Sequence, residues 1–227
     1  MSFAAFRDAV LRGALHQVPV ADDRRIWTEA VQAAARGDLA RAEELARVLT
    51  TAGAEPDVEA AACLTLASVL RQLGRHSEAG ALDDRALVLA RDDAMRADAL
   101  IGLAADAVGA ADAQACERRL SEAARAAPVD DPRVAVRLEW VRTEHALLTL
   151  DARAAVGHAR VAVHMSRSVS DRHLAKSLLF LGASLDAAGS SEAMRYLDEA
   201  LERAEQTGAA AIGAAARDIL DRRSRVT

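Results

Sequence analysis

Aromatic residues are scarce in this chain: two Trp, one Tyr and three Phe among 227 residues. So few large rings cannot fill a big mixed core. The 52% of residues that are hydrophobic are mainly Ala and Leu, which suits helices packed at close range. Only four prolines occur, at 19, 56, 128 and 132, each near an expected boundary between helices, and no alternating β-branched run is present. A β-sheet is thereby disfavoured. The only two cysteines, Cys63 and Cys116, stand in different segments, which argues against a disulfide framework and for buried thiols in a reducing cytoplasm. Lys176 is the only lysine, and the net charge of -5 lacks the excess positive charge on which nucleic-acid binding relies. No nucleic-acid partner is expected. Residues 2–16 carry Asp8 and no continuous apolar core, so they read as neither a signal peptide nor a membrane span.

What the chain does have is clearest in residues 66–90. Leu66, Ala67, Leu70 and Leu73 recur at three- and four-residue steps and share one helical face. Gly74 can end that helix in the left-handed conformation, and Ser77 with Glu78 can begin another, whose stripe is Ala79, Leu82, Ala86 and Leu89. The result is an antiparallel helical hairpin. One hairpin cannot bury both of its faces, so such units must stack.

Copies do recur. Small residues equivalent to Ala79 stand at Ala42, Cys116, Ala155 and Ala193, and seven residues beyond each marker come Leu49, Ala86, Ala123, Ala162 and Ala200. Gly37, Gly74 and Gly189 mark the turn in three copies, while the third and fourth carry AVGAADA and TLDA instead. The pattern LxxLGRHSEAxxLxxRAL, with LGASLDAAGSSEAMRYLDEAL, resembles the tetratricopeptide repeat over residues 24–205. The step here exceeds the 34 residues of that family, which leaves other helical-pair solenoids open. The fold expected is all-α: a right-handed α-solenoid of about five antiparallel helix pairs, with an N-terminal and a C-terminal capping helix, forming a single domain.

Helices are expected at 22–36, 39–52, 57–73, 76–91, 94–108, 112–126, 132–149, 152–168, 171–188 and 190–205, with Asp22 and Asp171 as N-caps. The N-terminal segment, 1–18, carries the stripe Phe3, Phe6 and Val10, either capping the open end or docking a partner or a second copy as a homodimer. At the far end, 207–223 offers Ile212, Ala215, Ala216, Ile219 and Leu220 on one side, and Arg222, Arg223 and Arg225 read as a solvated basic end.

Sites of chemistry are not apparent. His158 and His164 point apart on one helix, and no HExxH, CxxC, DxDxDG, GxSxG or phosphate-cradling motif occurs. Neither metal nor cofactor is expected. His145 reads as a hydrogen-bonded core residue, and His16, His76 and His173 as solvated. The acidic pairs Glu43-Glu44, Asp83-Asp84 and Asp92-Asp93 read as solvent faces, because adjacent helical residues diverge by about 100°.

A groove remains. The tetratricopeptide resemblance implies that first helices line a concave surface receiving a partner's peptide or helix, and would place Thr28, Ser68, Arg71, Arg142, Lys176 and Asp186 there. Three of these are cationic, which suggests an acidic segment or a C-terminal carboxylate as ligand. Trp27 and Trp140 are either hot-spot anchors or core residues. The function this implies is a non-enzymatic cytoplasmic adaptor. The alternative is a sensor module of a bacterial regulatory system, binding a peptide or small ligand.

Overall fold

A computed structural model describes residues 2–14, 22–51 and 53–225; Pro19 and His16, and the side chain of Asp22, lie outside the described residues. Among the described residues there are twelve helices and no strand. A short N-terminal helix, α1 (Phe3–Leu11), precedes five pairs. These are α2 (Asp22–Arg36) with α3 (Leu39–Thr51), α4 (Pro56–Gln72) with α5 (His76–Leu89), α6 (Asp93–Gly109) with α7 (Ala113–Ala126), α8 (Pro132–Leu148) with α9 (Ala152–Ser166), and α10 (Asp171–Ala187) with α11 (Ala193–Thr207). A final helix, α12 (Ala210–Ser224), follows. The chain falls into two compact units, Met1–Val134 and Ala135–Thr227, with the division just inside α8.

The same turn closes every hairpin. Gly37, Gly74, Ala111, Leu150 and Gly189 all adopt positive φ, at 83°, 74°, 56°, 60° and 69°. In each case the next residue's N–H donates back to the carbonyl five residues earlier, as from Arg75 to Leu70 at 2.9 Å and from Asp151 to Ala146 at 2.8 Å. This is a Schellman cap, which satisfies carbonyls that a helix end would otherwise orphan. In the first, third and fourth pairs the residue after it is Asp38, Asp112 or Asp151, and its carboxylate accepts an N–H three residues on, at 3.1, 2.8 and 2.9 Å. One helix is thus capped and the next begun within two residues. The substitutes in AVGAADA and TLDA hold the register by forcing Ala111 and Leu150 into a conformation that glycine adopts freely.

The small marker residues are where close packing needs them. Ala42, Ala79, Cys116, Ala155 and Ala193 are fully buried, as are Ala86, Ala123, Ala162 and Ala200. Gly182 belongs with them, since a Cβ there would collide with Leu197 of α11. Among the described residues of the first unit α2 touches α4 and α4 touches α6, whereas the second helices make no comparable contact with one another. The first helices therefore form the tighter layer of that unit. In the second unit α12 touches both α10 and α11, so the C-terminal cap occupies the position of one more first helix.

Several local expectations need correction. Ser170, not Asp171, caps α10, its hydroxyl accepting from the His173 N–H. Neither Ser77 nor Glu78 opens α5, which begins at His76 without a side-chain cap. Helix α11 starts three residues later than its pattern suggests, because Ser190–Glu192 form the turn. On α12, Ile212, Gly213 and Ala216 face inward while Ala215 is exposed.

Candidate functional site

The first-helix layer of the first unit holds a group of polar and aromatic contacts, and α1 lies on it. Ser2 starts α1 by accepting the Ala5 N–H at 3.4 Å. The i, i+3, i+7 stripe then buries Phe6 completely and Phe3 and Val10 almost so. They join one cluster with Trp27 of α2, Val58, Ala61 and Ala62 of α4, and Met95 of α6. Phe3 and Phe6 sit 5.9 and 6.0 Å from Trp27, and the Arg24 guanidinium lies 5.3 Å from the Phe3 ring centre. Burying two Phe and a Val contributes up to about 5–8 kcal/mol before ordering costs.

Ion pairs fix the register of this contact. Arg7, 3% exposed, donates from both terminal nitrogens to Asp92 at 2.9 and 3.0 Å. Asp92 is also the N-cap of α6, accepting the Met95 N–H at 2.7 Å. Burial favours the neutral carboxyl of Asp92, but the Arg7 and Met95 hydrogen bonds outweigh it and hold the group below the usual carboxylate range. Next to Arg7, Asp8 lies 3.9 Å from Arg133, which pairs with fully buried Asp98 at 2.8 Å. Helix α1 thus covers more than the open end of the array, crossing the beginnings of α2, α4 and α6 and reaching Arg133 at the start of α8.

Trp27 does not end in a void. Its indole N–H donates to Thr65 on the next first helix at 3.0 Å, and Trp140 repeats the arrangement in the second unit, donating to Ser177 at 2.8 Å. Both rings are buried, so the core reading of the tryptophans holds in this fold. Each of these bonds joins the first helices of two successive pairs, across 38 residues in one case and 37 in the other.

The residues expected in the groove are placed unevenly. Thr28 is buried, its hydroxyl donating to the Arg24 carbonyl at 2.8 Å, and so presents nothing to a ligand here. Ser68 is exposed on α4, one turn before the equally exposed Gln72. Arg71 is 13% exposed and pairs with Asp83 and, at 3.0 Å, with Asp106. Its charge is neutralised within the chain. Burial raises the Asp106 carboxyl above its usual range against the pull of Arg71 and of His76, whose Nδ1 is 3.3 Å away. In the second unit Arg142 pairs with Glu139, which also accepts from or faces His158 Nδ1 at 2.7 Å. Lys176 stands over the Trp140 ring at 4.3 Å, and Asp186 pairs with Arg223 of α12.

Two expectations about charge are overturned. In each of the pairs Asp83-Asp84 and Asp92-Asp93 one carboxylate turns inward to an arginine and only the other stays exposed, the divergence of neighbouring helical residues doing the sorting. Arg223 is not a free basic end. His173 is likewise not solvated: it is 7% exposed and stacked on Trp140 at 5.5 Å.

The partners missed from sequence are Arg7, Asp92, Asp98 and Arg133. One signal was readable: Arg71 with Asp106, and Asp98 with Arg133, are both separated by 35 residues, near the repeat length. Cys63 and Cys116 are buried and form no disulfide, and burial pushes the Cys63 thiol up to about 11. Among the described residues no helix is long and apolar enough to cross a membrane, and no group of three or more His, Cys, Asp or Glu is arranged to hold a metal.

No family model and no curated protein matches this chain. Among solved structures, the crystal structure of the MamA protein is similar at 18% identity, over 82% of this chain and 93% of that one, with a TM-score of 0.42. That likeness is too loose to transfer a site, and the chain is characterised by its own geometry as an all-helical array of hairpin repeats.

Proposed function

We propose that this protein is a non-enzymatic scaffold that holds a helical segment of a partner protein on its first-helix face, in the manner of tetratricopeptide arrays. One observation carries the reading: a short amphipathic helix, α1, already rests across the beginnings of successive first helices with its aromatic residues buried. Binding an apolar helical stripe in a groove of helices is a recurring recognition mode. Beyond the footprint of α1 the exposed part of that face includes Ser68 and Gln72. Arg71 contributes to the integrity of the face rather than to an acidic ligand, since Asp83 and Asp106 already share it.

The test is a panel of helix-forming and extended peptides probed for binding to the intact chain and to a Ser68→Arg variant. Selective binding of helix formers, reduced at least tenfold by Ser68→Arg, supports the reading. Binding of neither class, or binding indifferent to Ser68, removes it.

A further inference from the structure

Helix α1 spans nine residues, which is too short to be stable by itself in water, so its helicity depends on what it docks against. Its contacts divide into three apolar anchors on one stripe and two charged ones: Arg7, which follows Phe6 directly and meets Asp92 at both terminal nitrogens, and the looser Asp8, 3.9 Å from Arg133. The receiving surface is made from three different first helices, α2, α4 and α6. It is also polarised: Asp92 is an acidic group at one place in an apolar surface formed by Trp27, Val58, Ala61, Ala62 and Met95. A surface of that kind selects both the spacing of apolar residues and the position of a cation.

We propose that this surface is an exchangeable helix-binding groove, that α1 is its resident competitor, and that the partner helix it accepts carries the α1 pattern, Phe-x-x-Phe-Arg-x-x-Val. This goes beyond the scaffold reading, whose ligand lies beside α1, by assigning a second ligand to the surface that α1 itself covers. A partner helix enters when it presents two aromatic residues three apart, an arginine immediately after the second, and an aliphatic residue three beyond the arginine. Helix α1 and the partner then compete for Asp92, so affinity for the partner is set by how firmly Arg7 holds. A residue that a purely structural cap would use only for stability becomes here a determinant of ligand register.

The probe is a labelled synthetic peptide of residues 2–14, followed by fluorescence anisotropy against the full chain. The unmodified chain should bind it weakly, and an Arg7→Glu chain, whose own α1 is repelled by Asp92, should bind it at least tenfold more tightly. An Asp92→Arg chain should reject that peptide and take up the peptide carrying Arg7→Glu, again with at least tenfold preference. That exchange of preference keeps the proposal testable should the Arg7→Glu chain fold poorly, and it is read by specificity, which loss of structure cannot mimic. Equal affinity of both peptides for the Asp92→Arg chain, or no binding to a folded Arg7→Glu chain, overturns the proposal. Such a result leaves the scaffold reading standing if helix formers still bind in a Ser68-dependent way, and the two failures are thereby distinguished.

Discussion

Arg7 and Asp92 are 85 residues apart and meet in a two-pronged ion pair that fastens α1 to the start of α6. The folded-state pKa of Asp92 lies below its ordinary value, so the stability this carboxylate gives is present above the ordinary carboxylate range. It disappears as pH falls through the lowered value. Limited proteolysis at stepped pH should show the region of α1 protected at neutrality and cleaved faster once pH drops below about 4. In an Arg7→Ala chain, faster cleavage should already be present at pH 7. Equal protection of both chains across the range would contradict the latch.

Leu150 and Ala111 adopt the left-handed conformation at positions where three other copies have glycine. A non-glycine residue there carries about 1 kcal/mol of backbone strain, and Leu150, 91% exposed, gives up little packing if replaced. Leu150→Gly should therefore raise stability by about 0.5–1 kcal/mol in urea titration, part of the strain relief being offset by the more flexible unfolded chain. Leu150→Val should do the opposite, because β-branching tolerates positive φ least.

Arg71 faces Asp83, which is fully buried, and Asp106, which is nearly so. Removing the cation takes the shared guanidinium away from two carboxylates, and burial already disfavours charge at Asp106. Arg71→Ala should lower stability by about 3 kcal/mol, measured by chemical denaturation. Loss of ligand binding in Arg71→Glu would accordingly report damage to the array. Asp106→Asn should be milder than Arg71→Ala, since it removes a charge instead of exposing one.

Cys63 has a thiol raised to about 11 by burial, so almost none is thiolate at neutral pH. Both cysteines should resist a thiol-reactive dye in the native chain at pH 7.5 and react fully in denaturant. Rapid labelling of Cys63 in the folded chain would show that α4 opens readily.

Most of the architecture was legible from sequence because each hairpin repeats the same instructions: an apolar stripe, a glycine, and small residues at fixed offsets. The expected 22–36, 76–91 and 132–149 spans differ from α2, α5 and α8 by no more than two residues at either end. What was not legible depended on tertiary partners. Nothing local says that Asp83 turns inward and Asp84 outward; Arg71, twelve residues earlier, decides it. Nor does α1 announce its receptor, since Phe3, Phe6 and Val10 specify an apolar stripe while Val58, Ala62 and Met95 specify what it covers. Within AVGAADA and TLDA nothing marks Ala111 and Leu150 as the left-handed residues, since the turn's conformation persists there without the glycine that usually signals it.

Helix α1 lies against Trp27, and Trp27 and Trp140 are the only tryptophans. In a Trp140→Phe chain, Trp27 fluorescence reads that contact directly. We predict blue-shifted emission shielded from iodide in the chain with intact α1, and red-shifted, quenchable emission once Arg7→Glu releases it. Emission that is already red-shifted and quenched with α1 intact, or that does not move when Arg7 is reversed, would contradict a helix seated on the first-helix face.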